Sequence, residues 1–318
     1  MAPKKIVTID GGGIRGVFAA ALIEQMEKAV GKSAREIFDC FYGTSTGAIL
    51  AAGLAAGMSA AELKKFYLEK GARVFEKLPW YRIIERALYW TYAKEPLEEE
   101  LKDVFKEKKI FDIEKLLSIQ TKDTQTGTVA FFNNFSYTRE THADRNLPLW
   151  QIIRASTAAP TYFGPEANRY IDGGISSYNN PSYAAFIGTT KYLKWPIGTD
   201  KLRIYSVGTG YHPPLIPQGT LDEQTKLSMA AYMIEELMDD LNLLQNQIMS
   251  RLEKDRHECW YRRYTIKFDQ RSFDIFGIPT EEIDFEAISQ LDGIEYVREL
   301  ARIGEIVGQK LVKKEELG

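Results

Sequence analysis

Ile37-Phe38-Asp39-Cys40-Phe41-Tyr42-Gly43-Thr44-Ser45-Thr46-Gly47-Ala48-Ile49-Leu50 runs from one apolar stretch, through a turn of small residues, into a second apolar stretch that continues to Ala56. The first stretch has the length and composition of a buried strand, and the second those of a buried helix. Gly43-Thr44-Ser45-Thr46-Gly47 therefore reads as a sharp strand-to-helix turn with Ser45 at its apex. Such a turn strains the backbone of its central residue, tolerates only small neighbours, and pushes the central side chain out at the helix N-terminus. Ser45 is on this reading a candidate nucleophile. The plain alternative is a strand-helix turn that contains Ser and Gly without chemical purpose.

Upstream, Lys5-Ile6-Val7-Thr8-Ile9 is a short β-branched run, followed by Asp10-Gly11-Gly12-Gly13-Ile14-Arg15-Gly16 and then by apolar residues at helical spacing from Val17 to Val30. Gly11, Gly13 and Gly16 match G-x-G-x-x-G, so a dinucleotide site has to be weighed. That site requires an acidic residue about twenty positions on, at the end of a second strand. Asp39 instead precedes Phe41-Tyr42, and no Gly-Lys-Ser/Thr follows to make a phosphate loop. A glycine turn ahead of a helix still supplies unpaired N–H groups at the positive end of the helix dipole, able to hold an anion or an oxyanion. Two successive strand-turn-helix units bring both turns to one edge of a parallel sheet, where α/β ligand sites collect. A nucleophile and a separate cluster of N–H donors are what acyl transfer needs, each donor contributing roughly 3–4 kcal/mol.

The base is the next requirement. The three histidines, His142, His212 and His257, lie in a polar loop, before Pro213-Pro214, and in a charged run. Each reads as solvated or loop-bound, and an aspartate is the better candidate, with a histidine-containing triad as the alternative. Asn168-Arg169-Tyr170-Ile171-Asp172-Gly173-Gly174-Ile175 predicts a short strand that ends in Asp172, with glycines clearing space beside the carboxylate. An ordinary Asp-Gly turn is the competing interpretation.

Asp10-Gly-Gly-Gly-Ile-Arg-Gly16, Gly43-Thr-Ser-Thr-Gly47 and Asp172-Gly-Gly174, in this order, resemble the motifs of the patatin-like phospholipases, lipid acyl hydrolases with a Ser–Asp dyad. Arg154-Ala-Ser-Thr-Ala-Ala-Pro-Thr-Tyr-Phe163 and Asn179-Asn180-Pro181 extend the resemblance, which covers about the first two-thirds of the chain. It implies Ser45 as nucleophile, Asp172 as base, the Gly12 and Gly13 amides as oxyanion hole, and Arg15 as a charge that stabilises the anion. Gly11, Gly16, Gly43, Gly47, Gly173 and Gly174 would be the glycines of the motifs. The third motif departs slightly, having Asp-Gly-Gly where many members have Asp-Gly-Ala. The implied fold is a single three-layer α/β domain over residues 1–318, a mainly parallel sheet between helices, with a motif-bearing core at about 4–210 and a helical part at about 220–312. The implied substrate is phospholipid at a membrane surface, with no metal and no cofactor. Lysophospholipid, neutral lipid, galactolipid or thioester substrates stay open, as does an inactive relative that senses an anion or nucleotide.

Composition sets the outer bounds. With 44% hydrophobic and 27% charged residues over 318 positions, the chain is long enough for one large α/β domain, and a formal charge of −3 gives no reason to expect nucleic acid. No run of about eighteen apolar residues is present, Met1-Ala2-Pro3-Lys4-Lys5 leads straight into the first strand, and Cys40 and Cys259 read as reduced and buried. A cytoplasmic protein is the resulting expectation, to which the resemblance adds peripheral contact with membrane lipid. The sequence leaves open whether an oligomer or an activator is needed.

The remaining stretches are read by pattern. Ser59 with Glu62 opens a helix to about Lys70, Pro96–Phe105 forms another, and Leu116–Thr121 with Thr128–Phe132 make paired strands. Pro79–Tyr92, dense in Trp, Tyr and Arg, is either an amphipathic helix on the core or an interfacial lid. Leu202–Val207 is a core strand. Thr220 with Glu223 starts a long helix whose apolar stripe is Leu227, Ala230, Ile234, Leu237, Leu241, Leu244, Ile248 and Leu252. Met229, Met233, Met238 and Met249 on that helix are assigned to core packing in preference to an acyl pocket. Tyr261–Phe268 is a late strand, Ile294–Leu311 a closing helix, and Lys313-Lys314-Glu315-Glu316 a frayed end, so the last third reads as functionally quiet.

Overall fold

β1 (Lys4–Ile9) lies at the centre of the sheet because its two faces are both apolar. Val7 and Ile9 belong to the larger core cluster and Ile6 to the smaller one on the opposite face. The same alternation holds in β2 (Cys40–Thr44), where Phe41 and Tyr42 point to opposite clusters, and in β6 (Leu202–Val207), where Tyr205 and Ile204 do. Strands buried on both faces require helices on both faces, and a three-layer α/β architecture follows. This is a computed structural model, and it describes residues 2–75, 90–135, 146–213, 216, 219–281 and 283–318.

The strand order is β4-β3-β2-β1-β6-β7, with β3 at Leu116–Asp123, β4 at Val129–Asn133 and β7 at Trp260–Tyr264. The pairs β1–β2, β2–β3, β1–β6 and β6–β7 are parallel, whereas β4 and the three-residue β5 (Tyr170–Asp172) run antiparallel to β3. The sheet is therefore mainly parallel, as expected. On the face of the larger cluster lie α1 (Gly16–Val30), α2 (Ala34–Ile37), α3 (Thr46–Ala56), α4 (Ala60–Val74), α5 (Glu95–Phe105) and α6 (Leu149–Ser156). The smaller cluster is covered by α7 (Ser182–Ile187) and the 29-residue α8 (Lys226–Lys254). The chain closes with α9 (Gln270–Phe276), α10 (Phe285–Ser289), α11 (Val297–Leu311), which packs along α1, and α12 (Lys314–Leu317). No helix among the described residues is long and apolar enough to cross a membrane.

Four sequence expectations are corrected. Ile37 is the last residue of α2, not the first of a strand, because the Ser33–Glu36 capping box nucleates a helical turn there and Phe38 only then becomes extended. The Thr220–Glu223 pair opens a single 3-10 turn, Leu221–Glu223. Gln224 is extended, and α8 begins at Lys226. The buried face of α8 carries Met238, Gln245 and Met249, while Met233, Leu237 and Leu244 of the expected stripe and methionine set are exposed. The C-terminal residues are docked and not frayed. Leu317 is buried, and the Glu316 carbonyl accepts hydrogen bonds from Arg203 (2.8 Å) and from the Tyr205 hydroxyl. Cys40 and Cys259 are both buried and unpaired, as read. Of the aromatic segment at 79–92, all but the last three residues lie outside the described residues, as does His142.

Candidate active site

Strand β3 brings the two motif residues together. Thr44, the last residue of β2, pairs with Gln120, and Asp172, the last of β5, pairs with the next residue, Thr121. Thr121 also pairs with Ala130 of β4, so β5 must occupy the other edge of β3, the edge of β2. Two strands running in opposite directions thus meet end to end, and the residues that leave them, Ser45 and Asp172, face each other.

Ser45 sits at the N-terminus of α3 with φ 55° and ψ −126°, a conformation that non-glycine residues adopt only under constraint. The flanking glycines are needed for close approach. A Cβ at Gly43 would lie 2.1 Å from the Gly47 carbonyl oxygen, and one at Gly47 would lie 2.2 Å from that of Ile9. The Ser45 hydroxyl donates to Asp172 Oδ2 at 2.6 Å, and the Gly174 amide donates to Asp172 Oδ1 at 2.6 Å. Burial pushes the Asp172 carboxyl up to about 6, opposed in part by the Ser45 hydroxyl, the Gly174 amide and the charge of Arg154.

The glycine turn after β1 is braced from several directions. Gly11 donates to the Asn179 carbonyl at 3.3 Å, Ile14 to that of Leu291 at 2.8 Å, and the Thr209 hydroxyl donates to the Gly11 carbonyl at 3.0 Å. No acceptor among the described residues takes the Gly12 or the Gly13 amide. Both glycines line one pocket with Ser45 and Asp172. Its other walls are mostly apolar, among them Ile14, Ile49, Phe75, Phe163, Ile234 and Met238. Arg15, expected to stabilise the anion, lies behind the glycine turn. It is buried, its Nε donates to the Gly12 carbonyl at 3.3 Å, its charge faces Asp239 and Glu235 of α8, and it does not line the pocket. Its contact is with the loop that carries the free amides.

Serine, carboxylate, paired free amides and an apolar channel are the components of acyl transfer from a fatty ester. A family model described as patatin-like phospholipase matches residues 7–186, more than half of the chain. The chain belongs to the patatin-like phospholipase family. Among curated relatives, an intracellular phospholipase A2 of Caenorhabditis elegans is 32% identical over 187 residues, covering 57% of this chain and 16% of that protein. A cGAMP-activated phospholipase of Vibrio cholerae is 32% identical over 232 residues, covering 64% of each. The mouse 85/88 kDa calcium-independent phospholipase A2 is 32% identical over 233 residues, covering 65% of this chain and 27% of that one. The chain thus spans less than two thirds of the length of each. The family match ends at residue 186, yet residues beyond it build the pocket.

Of those later residues, sequence reasoning weighs only the α8 methionines for an acyl pocket, and prefers core packing for them. Ile234, Met238 and Leu291 line the pocket, so one methionine of α8 does face it, and the last third supplies part of the walls of the candidate site. Arg263 of β7 grips Asp10 at the base of the glycine turn with both guanidinium nitrogens, one at 2.9 Å, and also donates to Ser206 Oγ at 2.8 Å. Asp10 is almost fully buried, so removal of its partner strands a carboxylate away from water. Arg263→Met is expected to destabilise the protein by about 3–5 kcal/mol, with Asp10→Asn in the same chain restoring part of it. Urea unfolding measures both, and an unchanged midpoint in Arg263→Met would contradict the assignment. None of the described histidines lines the pocket. His212 instead contacts the Phe268 carbonyl at 2.7 Å and stacks on Phe285, and His257 is exposed after the end of α8.

Proposed function

We propose that this chain is a serine lipid acyl hydrolase of phospholipase A type, working as one catalytic unit across residues 1–318 at the surface of lipid aggregates. The 2.6 Å bond from Ser45 Oγ to Asp172 Oδ2, set in an apolar pocket beside two unoccupied amides, carries the reading. Ser45 Oγ attacks the ester carbonyl carbon while its proton passes to Asp172. The Gly12 and Gly13 amides hold the oxyanion, the ester C–O bond breaks, and Asp172 returns the proton to the leaving lysolipid oxygen. Water then gives a proton to Asp172 as its oxygen attacks the acyl-serine carbonyl, the bond from that carbon to Ser45 Oγ breaks, and Asp172 passes the proton to Ser45 Oγ, releasing fatty acid and restoring both side chains. Membership of the family and the named activities of the relatives support phospholipid as substrate. A panel of lysophospholipid, triacylglycerol, galactolipid and thioester separates the neighbouring chemistries. Two unpaired, buried thiols support a reducing, cytoplasmic setting. The intact dyad argues against an inactive sensor.

The test is an alkyl fluorophosphonate followed by intact mass and peptide mapping. A single adduct on Ser45 is expected, and an unlabelled protein would overturn the reading. Because the Vibrio relative is named as cGAMP-activated, the labelling is run with and without that nucleotide.

The buried carboxyl gives a pH signature. Asp172 accepts a proton only when ionised, so activity is lost as pH falls through its pKa of about 6. kcat/KM on a soluble ester should fall about tenfold for each pH unit below that value and level off above about pH 7. Asp239 on α8 is also pushed up to about 6 by burial, so Asp239→Asn is the control and should leave the acid limb in place. A profile flat from about pH 4 to 9 would contradict Asp172 as the base.

A further inference from the structure

The segment Arg154-Ala155-Ser156-Thr157-Ala158-Ala159-Pro160 takes no part in the acyl-transfer steps, yet it holds both halves of the dyad. The Ser45 amide donates to Ser156 Oγ at 2.9 Å, and the Ser156 hydroxyl donates in turn to the Gln120 carbonyl at 2.5 Å. The Asp172 amide donates to the Ala158 carbonyl at 3.0 Å. Thr121, whose backbone pairs with Asp172, sends its hydroxyl to the carbonyls of Ala155 (3.1 Å) and Ile171 (2.8 Å). The C-terminal turn of α6 therefore fixes Ser45 and Asp172 relative to each other and to β3.

Within that turn Ser156 is fully buried, and its hydroxyl oxygen accepts the Ser45 amide. Ser45 follows the last residue of β2, and its buried N–H takes its acceptor from a side chain and not from a neighbouring strand. Ser156 supplies it, and with the Ser45 amide engaged, the ester oxygen is left to the amides of Gly12 and Gly13.

We propose that Ser156 is a positioning residue for acylation, its hydroxyl holding the strained backbone of Ser45 so that Ser45 Oγ stays aimed at Asp172 Oδ2. This rests on the serine-hydrolase reading above. The probe is again an alkyl fluorophosphonate, applied to wild type, Ser156→Ala and Ser156→Thr, with labelling rates taken on protein shown to be folded by its thermal transition. Ser156→Ala is expected to be labelled roughly ten- to a hundredfold more slowly than wild type. Its KM for a soluble ester should stay within about twofold, so that the loss falls on kcat. Ser156→Thr, which keeps a hydroxyl, should recover most of the rate. Labelling of folded Ser156→Ala at the wild-type rate overturns the proposal, since a role confined to fold stability predicts that result. If Ser156→Ala does not fold, hydrogen exchange of the Ser45 amide in wild type decides. Slow exchange supports the bond to Ser156, and exchange at the open-chain rate overturns it. An unlabelled wild type fails the serine-hydrolase reading instead, so the two failures are distinguishable.

Discussion

Ser45→Ala is expected to lower kcat on a soluble ester by about 10⁴- to 10⁶-fold, and Asp172→Asn by about 10⁴-fold, while both proteins keep their thermal transitions. On the proposed mechanism the serine variant loses the atom that forms the acyl bond. The asparagine variant keeps the shape of the carboxylate but accepts no proton, so Ser45 Oγ stays a neutral hydroxyl. Neither change opens a large cavity, because each side chain is small and its neighbours remain in place. Ser45→Ala takes from the buried Asp172 Oδ2 the hydroxyl that donates to it at 2.6 Å, and the carboxyl, already pushed up by burial, answers the loss by holding a proton more readily. The two effects should not add, since the residues act as one unit, and the double variant should be no slower than the worse single variant. Residual activity in Asp172→Asn within about tenfold of wild type would remove Asp172 from the mechanism.

Gly13→Ala is the second large effect. Gly13 has φ 58°, and a Cβ there would lie 2.1 Å from the Leu291 carbonyl oxygen, a backbone atom that also accepts from Ile14. The glycine turn would have to move, and with it the amides of Gly12 and Gly13. Loss or displacement of an oxyanion donor costs about 10²- to 10³-fold in kcat. Gly12→Ala meets a side chain and not backbone, Thr209, with Oγ1 at 2.2 Å and Cβ at 2.7 Å, so the threonine must shift and give up its bond to the Gly11 carbonyl, and the effect should be smaller than that of Gly13→Ala. Steady-state kinetics on a soluble ester distinguishes the two. Activity in Gly13→Ala within about threefold of wild type would contradict the role given to these amides.

The elements that were legible in sequence are those whose cause is local. A β-branched run, a glycine turn and a helical spacing specify β1, its turn and α1 within about twenty-five residues, and small residues alone allow the turn at Ser45. Ser45 and Asp172 could be named because each ends a strand in a recognisable turn, although only the shared partner strand β3 explains why they meet. What stayed hidden depends on distant partners. Arg263 is 253 residues from Asp10, and nothing in Trp260-Tyr261-Arg262-Arg263-Tyr264 distinguishes a buried ion-pair arginine from a solvated one. The exposed Leu237 and Leu244 show the same limit, since spacing gives a helix its apolar residues but docking decides which of them are covered. Arg15 could be placed by motif, whereas its orientation toward Glu235 and Asp239 depends on where α8 packs.

The most direct test of the central claim is release of free fatty acid from mixed phospholipid vesicles by wild type, Ser45→Ala and Asp172→Ala, with the products identified by mass. The account predicts fatty acid and lysophospholipid from the wild type and neither from the folded variants. Equal release by wild type and Ser45→Ala would contradict it.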